Sequence, residues 1–138
     1  MTRIFWDTNL FIYLFEGGEL AGRVQSLRDR MASRGDRLVT SALTLGEAQV
    51  LPLRTSPERA VDIERAIQAV AEIVPFDARA SRIYAEIRQD RAIKAPDAIQ
   101  LACAAAAGVD LFITNDDRLS RRIVRGVKFI TSLEQAFL

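Results

Sequence analysis

Arg3-Ile4-Phe5-Trp6-Asp7-Thr8-Asn9 is the stretch whose reading decides the fold. A short, strand-like apolar run ends on a carboxylate, and a helix start follows at once. The pattern returns late in the chain, where Leu111-Phe112-Ile113-Thr114-Asn115 ends at Asp116. Strands that end this way and lead into helices argue for a parallel sheet with helices on both faces. In such folds ligands gather at the carboxyl ends of the strands.

Working outward, Thr8–Phe15 reads as a helix apolar nearly all round, broken by Gly17-Gly18. Glu19–Ser33 follows as a helix, then Arg37–Thr40 as a second strand. Ala42–Leu51 is helical and is expected to stop near Pro52, and Pro57 opens a helix over Glu58–Glu72. Ile73–Phe76 reads as an edge strand, since Pro75 has no amide to give a ladder. Ala78–Arg91 and Ala95–Ala107 are helices, the second ended by Gly108. Leu111–Thr114 and Val127–Ile130 are the last strands, with a turn and short helix over Asp116–Arg122 between them. Ser132–Phe137 reads as a closing helix with Ser132 as N-cap. The expected fold is α/β, with about five parallel strands flanked by helices and residues 1–138 as one domain.

Composition narrows the chemistry. The 138 residues include no His, which excludes His-based acid–base catalysis, Ser-His-Asp triads and imidazole zinc sites. The one thiol, Cys103, allows no internal disulfide, so a reducing cytoplasm is the expected setting. No apolar run is long enough to span a membrane. Net charge is +1. Of the 18 acidic residues, setting aside the four discussed next leaves 14 against 19 basic ones. All but Lys94 and Lys128 of the basic residues are Arg, which suits phosphate recognition.

Asp7, Glu47, Asp97 and Asp116 fall where this fold would bring them together. Asp7 and Asp116 follow strands, Asp97 opens the helix behind Pro96, and Glu47 lies on a helical stripe with Leu43, Val50 and Leu51. Each has a bland reading. Asp7 could be a helix cap, Asp97 could complement a helix dipole, and Asp116 could belong to the turn Asn115-Asp116-Asp117. A carboxylate within an apolar stripe is harder to dismiss. Converging carboxylates repel unless a cation holds them, and an all-oxygen pocket suits Mg²⁺ or Mn²⁺. Such a site points to metal-assisted attack by water on a phosphodiester. Arg118, Arg121, Arg122 and Arg125 follow directly and would share one side if their segment were helical, as a basic surface for RNA.

Four short motifs, in order, carry a resemblance that covers the whole chain. They are Phe5-Trp6-Asp7-Thr8-Asn9, Thr40-Ser41-Ala42-Leu43-Thr44-Leu45-Gly46-Glu47, Lys94-Ala95-Pro96-Asp97-Ala98-Ile99-Gln100-Leu101-Ala102, and Phe112-Ile113-Thr114-Asn115-Asp116 with Arg118-Leu119. Together they resemble a PIN-domain ribonuclease, in particular the small toxin of a VapC-type toxin–antitoxin pair. The resemblance implies that Asp7, Glu47, Asp97 and Asp116 bind Mg²⁺ or Mn²⁺ and cut RNA. It implies support from Asn9, Ser41 and Thr114, with Asp117 beside or in place of Asp116. It also implies a homodimer and neutralisation by a cognate antitoxin protein whose tail folds on binding. The expected groove walls are the helices Thr8–Phe15 and Leu43–Leu51, the first of which is apolar on more sides than one core requires. The small, tail-free chain favours a toxin over a free-standing PIN ribonuclease of RNA processing. Intact acidic positions argue against a non-catalytic interaction domain. Aspartyl-phosphate chemistry is disfavoured because Thr8 and Asn9 stand where its signatures need further acids.

Overall fold

The computed structural model describes residues 2–136. Five strands, β1 (Arg3–Trp6), β2 (Arg37–Ser41), β3 (Glu72–Val74), β4 (Leu111–Thr114) and β5 (Phe129–Ser132), form one parallel sheet in the order β3-β2-β1-β4-β5. Seven helices connect or follow them: α1 (Thr8–Glu16), α2 (Ala21–Arg34), α3 (Ala42–Thr55), α4 (Pro57–Val70), α5 (Ala78–Ile87), α6 (Ala95–Ala106) and α7 (Asp117–Ser120).

The strand β1 lies at the centre because its residues serve two cores. Side chains alternate across a strand. Phe5 faces α5 and α6 and stacks on Phe112 of β4, with ring centroids 5.0 Å apart. Ile4 and Trp6 face the other way, toward Leu10 and Phe11 of α1 and Val24, Leu27 and Met31 of α2. Burial on both faces explains the unbroken apolar runs of β1 and β4. The chain winds outward from β1 through β2 to β3 on one side, and through β4 to β5 on the other. The crevice between β1 and β4 is therefore the topological switch point.

Several boundaries differ from expectation. The helix α3 continues through Pro52 to Thr55, with Pro52 buried on its packed face. The helix α4 stops at Val70 because Ala71 is already extended, so β3 begins at Glu72 and ends before Pro75. It remains an edge strand. The helix α5 ends at Ile87, and residues 88–93 form tight turns, with the Ala92 amide donating to Asp90 Oδ1. The last strand is Phe129–Ser132, because Val127 turns inward to the core beside Val124. No closing helix follows over the described residues. Leu133 donates its amide to the Thr114 carbonyl at 2.9 Å, and Ser132 Oγ caps a turn at Gln135 instead. Phe137, the end of that expected helix, lies outside the described residues.

The helix α6 crosses the core with Ala98, Leu101, Ala102, Cys103 and Ala104 all buried. Burial pushes the Cys103 thiol up to about 11. Small side chains on α6 let Gly126 approach closely. Gly126 has φ +92°, and a Cβ there would meet the Ala105 Cβ at 3.0 Å. Gly126→Ala is therefore expected to destabilise the protein by about 1–3 kcal/mol, read from urea unfolding, through both left-handed strain and crowding.

Candidate functional site

Asp7 closes β1. Its amide donates to the Ile113 carbonyl at 3.0 Å, which extends the ladder with β4 by one residue. Its side chain turns into the fold and is only 8% exposed. Oδ1 accepts from the Thr8 amide at 2.9 Å, capping α1, and Oδ2 accepts from the Thr114 hydroxyl at 2.9 Å. The cap reading is thus true without being the whole account. Burial raises the Asp7 pKa and the Glu47 charge adds to it, while the bonds from Thr114, Thr8 and Gln100 oppose the rise.

Glu47 is half-buried on α3, where its Oε1 accepts from the Thr8 hydroxyl at 2.6 Å. The stripe expected around it is not core. Val50 and Leu51 are 52% and 58% exposed, and the buried face of α3 is Thr44, Ala48 and Pro52. The small side chains of that face let α3 approach its neighbours, which leaves Glu47 at the border of the packed surface.

Asp97 sits in the first turn of α6, half-buried, and among the described residues its side chain accepts no hydrogen bond. Its pKa is raised by burial first, then by the charges of Asp7 and of Asp116. Asp116 differs. Burial alone would push it up, but hydrogen bonds from the Arg118 amide and guanidinium hold it below the usual range. Its Oδ1 accepts from that amide at 2.9 Å, and its own amide donates to Thr114 Oγ1.

The four acids line two adjoining cavities. Asp7, Glu47 and Asp97, with Asn9, wall one of about 260 Å³. Asp97 and Asp116 wall a second of about 380 Å³, together with Arg91, Lys94, Arg118 and Arg122. Asp97 belongs to both. Among the described residues no three acids stand close enough to close on a single ion. The four carboxylates lie along an open acidic rim, with Asp97 lining both cavities. Its donors are all hard oxygens, and Asp97 feels two like charges, so the donor chemistry fits a divalent cation of the Mg²⁺ class.

The supporting residues divide. Ser41 and Thr114 are fully buried at the strand ends, and Asn9 is exposed at the acidic cavity. Asp117 opens α7 in an exposed position and lines neither cavity. The four arginines do not share one side, because α7 ends at Ser120. Arg118 and Arg122 line the larger cavity, Arg125 lines a different one beside Ile83 and Glu86, and Arg121 is exposed.

Sequence reasoning missed Gln100. It is 1% exposed, at the junction of α6, α1 and α3. Its Oε1 accepts from the Ser41 hydroxyl, and its Nε2 lies 3.1 Å from Thr8 Oγ1 and 2.8 Å from Thr44 Oγ1. Thr8 has one hydroxyl hydrogen and gives it to Glu47, so Gln100 is the donor to Thr8. A chain of donors thus runs from Ser41 through Gln100 and Thr8 to Glu47. A signal was present: Gln100 is one helical turn beyond Asp97, alone and polar in a run of Ala, Ile and Leu.

The PIN domain family model matches residues 4–123. No curated protein has a sequence that matches this one. Among solved structures, VapBC2 from Rickettsia felis bound to a DNA fragment from its promoter superposes with a TM-score of 0.75 at 17% identity, covering 95% of this chain and 98% of that one. DNA-bound VapBC from Salmonella typhimurium gives 0.72 at 21% identity, over 96% and 99%. Mycobacterium tuberculosis VapC20, a Sarcin-Ricin loop cleaving toxin, gives 0.68 at 23% identity, over 90% and 98%. At these identities the likeness is one of fold.

Two outcomes are expected from this geometry. Gln100→Leu leaves buried hydroxyls without their partner and should cost about 1–3 kcal/mol in urea unfolding. Asp97→Asn should raise the melting temperature in EDTA near neutral pH. The folded pKa of Asp97 is raised, so its carboxylate opposes folding above the unfolded value of about 4 and does not below it. The advantage of the Asn variant should therefore shrink as pH falls toward about 4.

Proposed function

The chain belongs to the PIN-domain family, and from that premise we propose that it is a divalent-metal-dependent endoribonuclease of the VapC toxin type. The observation that carries this reading is Asp97, flanked by Asp7 and Asp116 at the switch point and unbalanced by any cation of the chain except the nearby Arg118 and Lys94. Charge of this kind, built at a strand edge, costs stability unless an ion uses it. Asp7, Glu47, Asp97 and Asp116 would hold Mg²⁺ or Mn²⁺. Such an ion, when bound, lowers the pKa of water and offsets charge on phosphoryl oxygens.

The chain's own residues do the rest. Thr114 and the Thr8 amide fix the Asp7 carboxylate, and Gln100 holds Thr8 against Glu47. Asn9 stands at the mouth of the acidic cavity, where it can meet substrate. With no His in the chain, proton handling falls to carboxylates and water.

The antitoxin and a second copy of the chain are the expected protein partners, by analogy with the VapBC assemblies above. For the groove, Leu10 and Phe11 of α1 are fully buried, Ile12, Tyr13, Leu14 and Phe15 of the same helix are partly exposed, and α3 adds the exposed Val50, Leu51 and Leu53. Among the described residues no helix is long and apolar enough to cross a membrane, and a cytoplasmic site of action fits the reading.

Incubation with EDTA should abolish RNA cleavage and Mn²⁺ should restore it. Asp7→Asn and Asp97→Asn should stay folded and lose more than about 100-fold in cleavage. Expression of the chain alone should arrest growth, and expression of the Asp97→Asn variant should not. Full cleavage in EDTA would sink the reading.

A further inference from the structure

The cavity on the far side of Asp97 shares Asp97 and Asp116 with the acidic rim, but its other polar walls have no part in the chemistry above. We propose that it is a backbone subsite for single-stranded RNA, seating the nucleotide next to the one that is cut. The inference rests on the ribonuclease reading and adds where the strand lies.

The site has two walls. One is the turn between α5 and α6, which brings Arg91 and Lys94; the other is α7 and the residue run after it, which brings Arg118 and Arg122. A single carboxylate ties the walls together. Asp90 Oδ1 accepts from the Ala92 amide at 3.0 Å, and Asp90 Oδ2 accepts from the Arg122 guanidinium at 2.9 Å. One ion pair, Asp90 with Arg122, thus links the two walls.

Its chemistry matches a nucleotide. The floor is apolar, with Ile93 and Leu119 nearly fully buried, and the rim carries four cations, Arg91, Lys94, Arg118 and Arg122, against the two carboxylates Asp97 and Asp116 on the side shared with the acidic rim. The volume of about 380 Å³ falls within the range of about 300–1,000 Å³ usual for small-ligand sites. Arg118 and Arg122 are oriented by Asp116 and Asp90. Arg91 and Lys94 are exposed, and among the described residues neither forms an ion pair within 4.0 Å, although Lys94 lies near enough to Asp97 to oppose the rise in its pKa. Exposed cations outside ion pairs on a concave wall are what a phosphate can use. Among the described residues no aromatic ring lines the cleft, which suits phosphate and sugar rather than a particular base.

Position completes the argument. Asp97 is the wall shared with the acidic cavity, so a strand with its scissile phosphate there passes over Asp97 into the basic cleft. An acidic peptide could also suit the cations. The continuity with carboxylates placed for phosphodiester chemistry favours RNA.

The test is fluorescence anisotropy with a short labelled single-stranded oligoribonucleotide of mixed sequence, in EDTA, across a KCl series. The Arg91→Ala/Lys94→Ala double variant should bind about tenfold more weakly at low salt. The slope of its salt dependence should flatten by about 0.7 for each phosphate that it no longer neutralises. Arg91→Lys/Lys94→Arg, which keeps both charges, should follow the wild type, as should Arg121→Ala/Arg125→Ala outside the cleft. Calorimetric Mn²⁺ binding should persist in all, and should not weaken in the double Ala variant, since Lys94 is a cation near Asp97. If the wild type cleaves RNA with Mn²⁺ and the double Ala variant binds RNA as the wild type does, the subsite alone is overturned. Loss of a co-purifying protein partner with intact RNA binding overturns it in favour of an acidic peptide. If the wild type neither binds nor cleaves RNA, the ribonuclease reading falls and the subsite with it.

Discussion

A buried carboxylate at the end of the central strand organises this molecule. Asp7 draws donors from three separate elements: the Thr8 amide of α1, the Thr114 hydroxyl of β4 and, at 3.4 Å, the Gln100 amide of α6. A charge this far from water must be met by such donors. Meeting it aligns the start of α1, the end of β4 and the middle of α6 on one point. The same donors connect onward, through Thr8 to Glu47 and through Thr114 to the Asp116 amide. The acidic rim is therefore a product of the core's hydrogen bonding, not an addition to its surface.

The central strands and the site-bearing helix starts were legible because their signals are local. Unbroken apolar runs at β1 and β4, the cap at Asp7, and Pro at the starts of α4 and α6 needed no knowledge of the rest of the chain. The tail was not legible, because Ser132 is a good cap in isolation. What it caps is decided by Leu133 giving its amide to Thr114 across the sheet. Glu47 was found by a mistaken route: the stripe that drew attention to it faces outward, and its environment comes from Thr8. Gln100 was passed over because a neutral amide leaves no mark on charge counts. Arg121 and Arg125 were grouped with Arg118 by a helical spacing that stops at Ser120.

The acids gather along an edge and do not form a cage. Their pKa directions follow that layout. Asp97, at the middle, is pushed up by burial and by neighbours on both sides, whereas Asp116, at the end, is held down by Arg118. Adjacent carboxylates are thus biased toward opposite protonation tendencies within one crevice. As pH falls, the inner part of the rim is therefore biased to take up a proton before Asp116 does.

The buried thiol on α6 has a practical meaning. Cys103 lies within the core, and its pKa of about 11 leaves almost no thiolate near neutral pH. Oxidants and alkylating reagents act on thiolate that they can reach. Cys103 should therefore stay a free thiol in the folded chain during storage without reductant, and should react only when the α6 packing opens. Labelling of this single thiol would then serve as a clock for global unfolding, one that reports on the helix carrying Asp97 without disturbing it.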